Sequence, residues 1–341
     1  MTSLKKIFIL LLMVNVGGAM AKSIDISPDK LKCPPRIIRT CCAFGYDVKY
    51  WGVPFISNSE ITAVDKLGHH QYLGNRNEGN GIIYSHRGGF VDIGHLRDQA
   101  DWTVFLYEKI KLARGSRETM KLGYEAGVKK LLLNIPNDFS DDNALRLAAY
   151  IAYHLSLWHE IATWYGASTV PLLPERYSAF SVEDDFSNRL GIELATRAIK
   201  SDINFEEAMD FEIRAILDTL QAVQTEDETI AAMESVRNVW WTREKKLPNR
   251  GVLLQYSVPQ FGIATPALLQ VQDAIYKPYV IELLAETTEN VSLDKYFSLR
   301  MRLNGKIPWQ KIFPARIKRV VTQSDFKSLL EAVRSDIENK P

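Results

Sequence analysis

Two segments of this chain set ionisable side chains inside apolar runs: Gly89-Phe-Val-Asp-Ile-Gly-His-Leu-Arg-Asp98 and Trp158-His-Glu-Ile-Ala-Thr-Trp-Tyr-Gly166. Buried histidines and carboxylates cost free energy unless they are paired, hydrogen-bonded or bound to a metal. The residues are therefore either a satisfied packing network or a site. His159-Glu160 reproduces half of the zinc-protease pattern, in which histidines at i and i+4 hold the metal and the glutamate beside the first acts as base. Position i+4 is Thr163, so the pattern is incomplete. Catalytic zinc takes three protein ligands, and the others must come from elsewhere. His95 and Asp98, one turn apart on a helix, share a face. Asp92 lies just upstream. A third source is Phe180-Ser-Val-Glu-Asp-Asp-Phe-Ser-Asn-Arg189, where Glu183, Asp184 and Asn188 open a helix that Ser181 can cap. The chemistry expected is metal-dependent hydrolysis. His95 and His159 bind a divalent metal, zinc first, with Asp98 or Glu183 completing the shell. Glu160 is the general base that takes a proton from water.

Other readings stand beside this one. His159 bonded to a buried carboxylate could simply fix helix packing in a non-catalytic binding or structural protein. The His–Glu–Asp set could do acid–base work without metal. Cys41 or Cys42 could supply a thiolate with His86 or His95. In an oxidising compartment, Cys33 with Cys41 or Cys42 would instead close a small disulfide loop. All six histidines fall between residues 69 and 159. His69, His70 and His86 lie in a Gly-rich stretch and read as ordinary surface residues.

The elements that must position these groups follow from caps and periodicity. Ile82 to Ser85 and Phe90-Val91 read as short strands around Gly88-Gly89. Asp92 caps a helix running to about Ala113. Thr119 to Tyr124 and Val128 to Ile135 form a hairpin turning through Glu125-Ala-Gly127. Ser140 caps a helix to about Tyr165, apolar on two faces and therefore largely buried, which ends at Gly166. Further helices are expected over 183–200, 205–223, 229–240 and 324–339. Gly251 to Ser257 reads as a strand, and a helix is expected near Ile281. The Trp240-Trp241 pair, as successive helix positions, should leave one indole exposed. The class is α+β, helix-rich, with central helices carrying the His/Glu/Asp cluster.

Composition bounds the rest. Hydrophobic residues make up 46% of the chain, enough for a substantial core. The formal net charge is +1, which gives no argument for nucleic-acid binding. Residues 1–21 read as a secretory signal peptide. Lys5 and Lys6 precede an apolar run from Ile7 to Val16, and Ala19-Met-Ala21 fits a small-x-small cleavage site, with the mature chain starting near Lys22. No later stretch is apolar enough to span a membrane. The expected location is the periplasm or the medium. Residues 22–341 read as one large domain, with 246–341 a C-terminal mixed α/β portion.

Four segments carry a family resemblance: Cys41-Cys-Ala-Phe-Gly45, Arg87 to Asp98 with Ala100-Asp-Trp102, His159 to Gly166, and Ser178-Ala-Phe-Ser-Val-Glu-Asp184 with Ser187-Asn188. Together they resemble a bacterial exported-protein family known as domain of unknown function 4056. The resemblance runs from about Pro35 to beyond residue 300, with 35–245 most family-like. It implies an envelope-facing setting and assigns no activity.

Overall fold

The structure is a computed structural model, and it describes residues 24–39, 44–47, 60–167, 175–243, 249–257, 262–270 and 275–339. The leader, Cys41 and Cys42 lie outside the described residues, and Cys33 is exposed. The fold is α+β. The helices are α1 (Ile93–Leu112), α2 (Asp141–Trp164), α3 (Asp184–Lys200), α4 (Phe205–Thr219), α5 (Glu226–Ser235), α6 (Arg250–Ser257), α7 (Trp309–Ile312) and α8 (Phe326–Glu338). The strands are β1 (Ile82–Ser85), β2 (Gly89–Asp92), β3 (Ser116–Tyr124), β4 (Gly127–Ile135), β5 (Ile263–Ala264), β6 (Ile281–Glu282), β7 (Phe297–Leu303) and β8 (Val320–Thr322). Among the described residues, no helix is long and apolar enough to cross a membrane.

Three helices form the centre. α2 is buried along nearly its whole length, as its two apolar faces require. It packs against α1, α3 and α8, and its Tyr150 and His154 meet Phe297 of β7 in a four-stranded antiparallel sheet of order β3-β4-β7-β8. In β4, Leu131 and Leu133 point inward opposite Leu299 and Phe297 of β7. The same alternation carries Lys129 inward, opposite Met301. α1 and α3 cross so closely that a Cβ at Gly191 would stand 2.0 Å from the Leu96 carbonyl oxygen. Only glycine permits that approach.

Two of the caps read from the sequence are present, while Ser181 does not cap α3: Glu183 holds the cap position without a side-chain bond, and the Ser181 hydroxyl donates to the Glu183 carboxylate. Asp92 accepts from the His95 N–H and Ser140 from the Asn143 N–H. The hairpin turns where expected, with Ala126 in a left-handed conformation at φ 48°. Three other expectations need correction. Residues 250–257 form helix α6, with Leu253 buried and Val252 half-buried. Ile281 lies in strand β6, paired with β5. The helix expected over 229–240 ends at Ser235. Asn238 then takes a left-handed φ of 65° and turns the chain, so Trp240 and Trp241 both enter one apolar cluster with Phe44 and Phe90.

Candidate metal centre

α1 and α3 begin at the same place, and α2 ends there. This end of the three-helix layer gathers the ionisable side chains. Asp92 holds two positions at once. Its Oδ1 caps α1 by accepting from the His95 backbone, and its Oδ2 lies 3.2 Å from His95 Nδ1. Asp184, in the first turn of α3, brings Oδ1 to 3.9 Å from the same nitrogen. Ser187 locks the two helix starts together. Its hydroxyl accepts from the Asp92 N–H at 2.8 Å and donates to the Glu183 carbonyl at 2.6 Å. The N-terminal helix ends favour the carboxylates gathered there.

His159 enters from α2. Its Nδ1 stands 2.6 Å from Glu125 Oε1 in the β3–β4 turn, and Glu125 Oε2 accepts from Lys129 Nζ at 2.6 Å. Each histidine thus has Nδ1 against a carboxylate. A carboxylate against one ring nitrogen is the usual environment of metal-ligating histidines, which bind through the other. The rings of His95 and His159 lie 6.2 Å apart between centroids. One ligand atom from each of His95, His159 and Glu160 falls within 4.8 Å of the others, and all three residues are buried. Zinc with ligands at ~2.1 Å holds its donor atoms ~3.4 Å apart, so side-chain shifts of about an ångström would close this group on an ion.

The electrostatics also fit a cation. Among the described residues, the carboxyl groups of Asp92, Glu125, Glu160, Glu183 and Asp184 are buried here, with Lys129 and Arg250 as the basic side chains beside them. Burial works against an imidazolium at His95, but Asp184 and Asp92 outweigh it and push its pKa up to about 10. His159 moves up too, because Glu125 overcomes its burial. Burial, with Asp184 adding to it, pushes Glu160 up to about 7. The same two causes hold Glu183 well above the usual carboxyl range. Glu125 goes the other way: Lys129 and His159 overcome its burial and bring it down to about 2. The cluster draws protons onto its own ligands, the state of a site that exchanges protons for a metal ion. Burial lowers Arg250 only to about 10, so it stays charged at neutral pH. A cleft of about 90 Å³, room for about three waters, reaches His159 past Tyr124, Thr163, Glu175 and Lys306.

The structure brings His95 and His159 together and places Glu160 with them. Asp98, on the same helix as His95, faces elsewhere. Its oxygens accept from Arg36 Nη2 at 2.8 Å, from Arg39 Nη2 at 2.7 Å and from the Arg39 N–H at 2.8 Å. Glu183 lies in the cluster but outside the three-residue group. Its Oε2 accepts from Ser181 Oγ at 2.8 Å, and its buried Oε1 has no hydrogen-bond partner among the described residues. His70, expected at the surface, is buried, with its nitrogens 3.8 Å from Glu78 and 3.4 Å from Asp101. Glu125, Lys129 and Arg250 were not foreseen. Lys129 did leave a signal, since strict alternation from Leu131 and Leu133 puts it on the inward phase of β4, where an ammonium needs a partner.

The family described as Protein of unknown function (DUF4056) matches over residues 29–266, and the chain belongs to it. That span contains every residue of the cluster and stops before β7 and β8, short of the extent expected from the sequence. No curated protein and no solved structure matches the chain.

Proposed function

We propose that this DUF4056 protein is a metal-dependent hydrolase, exported from the cell and acting on an envelope substrate. The observation that carries the reading is the buried His95–His159–Glu160 group, with a carboxylate behind each imidazole. A divalent ion at this site, zinc first, would supply Lewis acidity and an activated water. We assign Glu160 as the third ligand, in place of the general base expected from the His159-Glu160 pair. Glu125 and Asp92 orient the two rings and raise their basicity. Glu183 is the proton carrier: among the described residues its buried Oε1 has no hydrogen-bond partner, and burial with Asp184 beside it favours the protonated carboxyl. Lys129 keeps Glu125 ionised behind His159. The cleft past Thr163 and Lys306 is the approach to the ring. Export rests on the leader read from residues 1–21.

The deciding experiment is elemental analysis of the mature protein, purified without chelator or affinity-tag histidines. Near-stoichiometric zinc, iron or manganese is expected, lost in His159→Ala and in Glu160→Gln while both variants stay folded. Metal retained in Glu160→Gln with activity lost would return Glu160 to the role of base. No metal in the wild-type protein would end the hydrolase reading in favour of a structural His–carboxylate network. N-terminal sequencing of the periplasmic fraction tests export, with Lys22 as the expected first residue.

A further inference from the structure

One peptide unit beside the centre is gripped by charge at both ends. The Ala179 carbonyl accepts from Arg250 Nη1 at 2.6 Å. The N–H of the same peptide, on Phe180, donates to the Glu160 carboxylate through Oε2. Arg250 Nη2 also reaches the Arg176 carbonyl at 3.5 Å, so the guanidinium spans two turns of this loop. Phe180 sits in the left-handed region at φ 57°. A non-glycine residue there is strained and persists only where its surroundings over-determine it. The surroundings here are the two charged groups. The guanidinium polarises the amide, and hydrogen bonds in such a chain strengthen one another.

We infer that Arg250 is a positioning residue for the Glu160 carboxylate: acting through the Ala179–Phe180 peptide, it pins Oε2 and so presents the other oxygen to a bound metal ion. The inference rests on the reading of His95, His159 and Glu160 as a metal centre. It assigns Arg250 no contact with substrate. It also explains why a buried arginine spends its donors on loop carbonyls in the middle of an acidic cluster.

The test uses the full mature protein, zinc affinity by competition with a chromophoric chelator, the visible spectrum of the cobalt(II) form, and thermal unfolding of the metal-free form. Arg250→Gln should weaken zinc binding by about 10–100-fold, the usual effect of losing an outer partner of a metal ligand, and should shift the cobalt bands as the carboxylate changes its mode of binding. Arg250→Lys should fall between, because it keeps the charge and loses the two-point grip. A folded Arg250→Gln protein with a lower melting temperature but unchanged affinity and spectrum would overturn the inference. If that variant does not fold, Arg250→Lys decides: wild-type affinity with unchanged cobalt bands overturns the inference, and weakened binding with shifted bands supports it. A wild-type protein that binds neither metal would remove the centre itself, an outcome separate from the other two.

Discussion

Replacing Glu125 with glutamine perturbs one side chain that serves two neighbours. Glu125 Oε1 lies 2.6 Å from His159 Nδ1, and Oε2 accepts from Lys129 Nζ at 2.6 Å. All three side chains are almost fully buried. At an effective dielectric of ~20, a unit ion pair at this separation is worth on the order of 6 kcal/mol before desolvation. Breaking a buried pair by removing one partner costs about 3–5 kcal/mol, because the other charge is left uncompensated. Glu125→Gln should therefore destabilise the metal-free protein by about 3 kcal/mol or more. It should also weaken metal binding by about 10–100-fold, since His159 loses the charge behind its ring. Adding Lys129→Met separates the effects. The inward site opposite Met301 is apolar, so the double variant should recover to within about 1–2 kcal/mol of wild type. Its metal affinity should stay low. Urea unfolding of the metal-free forms and chelator competition on the folded forms measure the two quantities independently. A loss below about 1 kcal/mol in Glu125→Gln, or metal affinity restored by Lys129→Met, would refute the reasoning.

Asp98 gives a pH prediction. Burial opposes its charge, but Arg39 and Arg36 outweigh that and hold its carboxyl below the ordinary 3.8. The folded state thus binds this proton less readily than the unfolded chain. The stabilisation is complete above about pH 5 and drains away as pH falls through the lowered folded value. Asp98→Asn should be less stable at pH 7, with the difference shrinking in acid; a gap in urea midpoint that stays constant with pH would sink this account. Gly191→Ala would force apart α1 and α3, the helices that bring Asp92 and Asp184 to His95. It should cost about 1–3 kcal/mol or more and weaken metal binding, and an unchanged melting temperature would show that the crossing has slack. His154 is the control. Burial lowers its pKa, its Nδ1 lies 2.8 Å from the Tyr150 carbonyl, and Phe297 and Phe326 pack around it. His154→Leu should keep full metal content, and loss of metal there would mean that the ligand set is misassigned.

Helices were legible where the signals are local. Asp92 and Ser140 are caps whose chemistry acts within three residues, and α1, α2 and the β3–β4 hairpin lie within a residue or a few of the spans read from sequence. The failures came where distant partners decide. Val252-Leu253 fits a strand or a helix equally well, because a short apolar run has no period of its own. Ile281 becomes a strand only because Ala264 is there to pair with it. The tryptophan pair misled because the helix ends at Ser235 and Asn238 then turns the chain through a left-handed conformation, which pattern alone does not require.

The centre divides along the same line. His95, His159 and Glu160 stand out in sequence because they are ionisable groups set in apolar periodicity. Spacing along one helix also nominated Asp98, which shares a face with His95 only loosely. Arg36 and Arg39, some sixty positions earlier, claim it. The groups behind the rings were hidden for a different reason. Asp92 looked like a helix cap, which it also is, and Glu125 looked like an ordinary turn acid. What buries Glu125 is the hairpin's place in the sheet. β4 pairs with β7 from Gly127 opposite Leu303 to Leu133 opposite Phe297, and this register turns Lys129 inward onto Glu125. β7 lies beyond residue 266, where the family match ends. The three candidate ligands thus belong to the family-wide part of the chain, while the strand that fixes the carboxylate behind His159 comes from outside it. The C-terminal portion therefore acts on the centre through β4. Any change that frees β7 from β4 should be felt first at His159, before the helices themselves are disturbed.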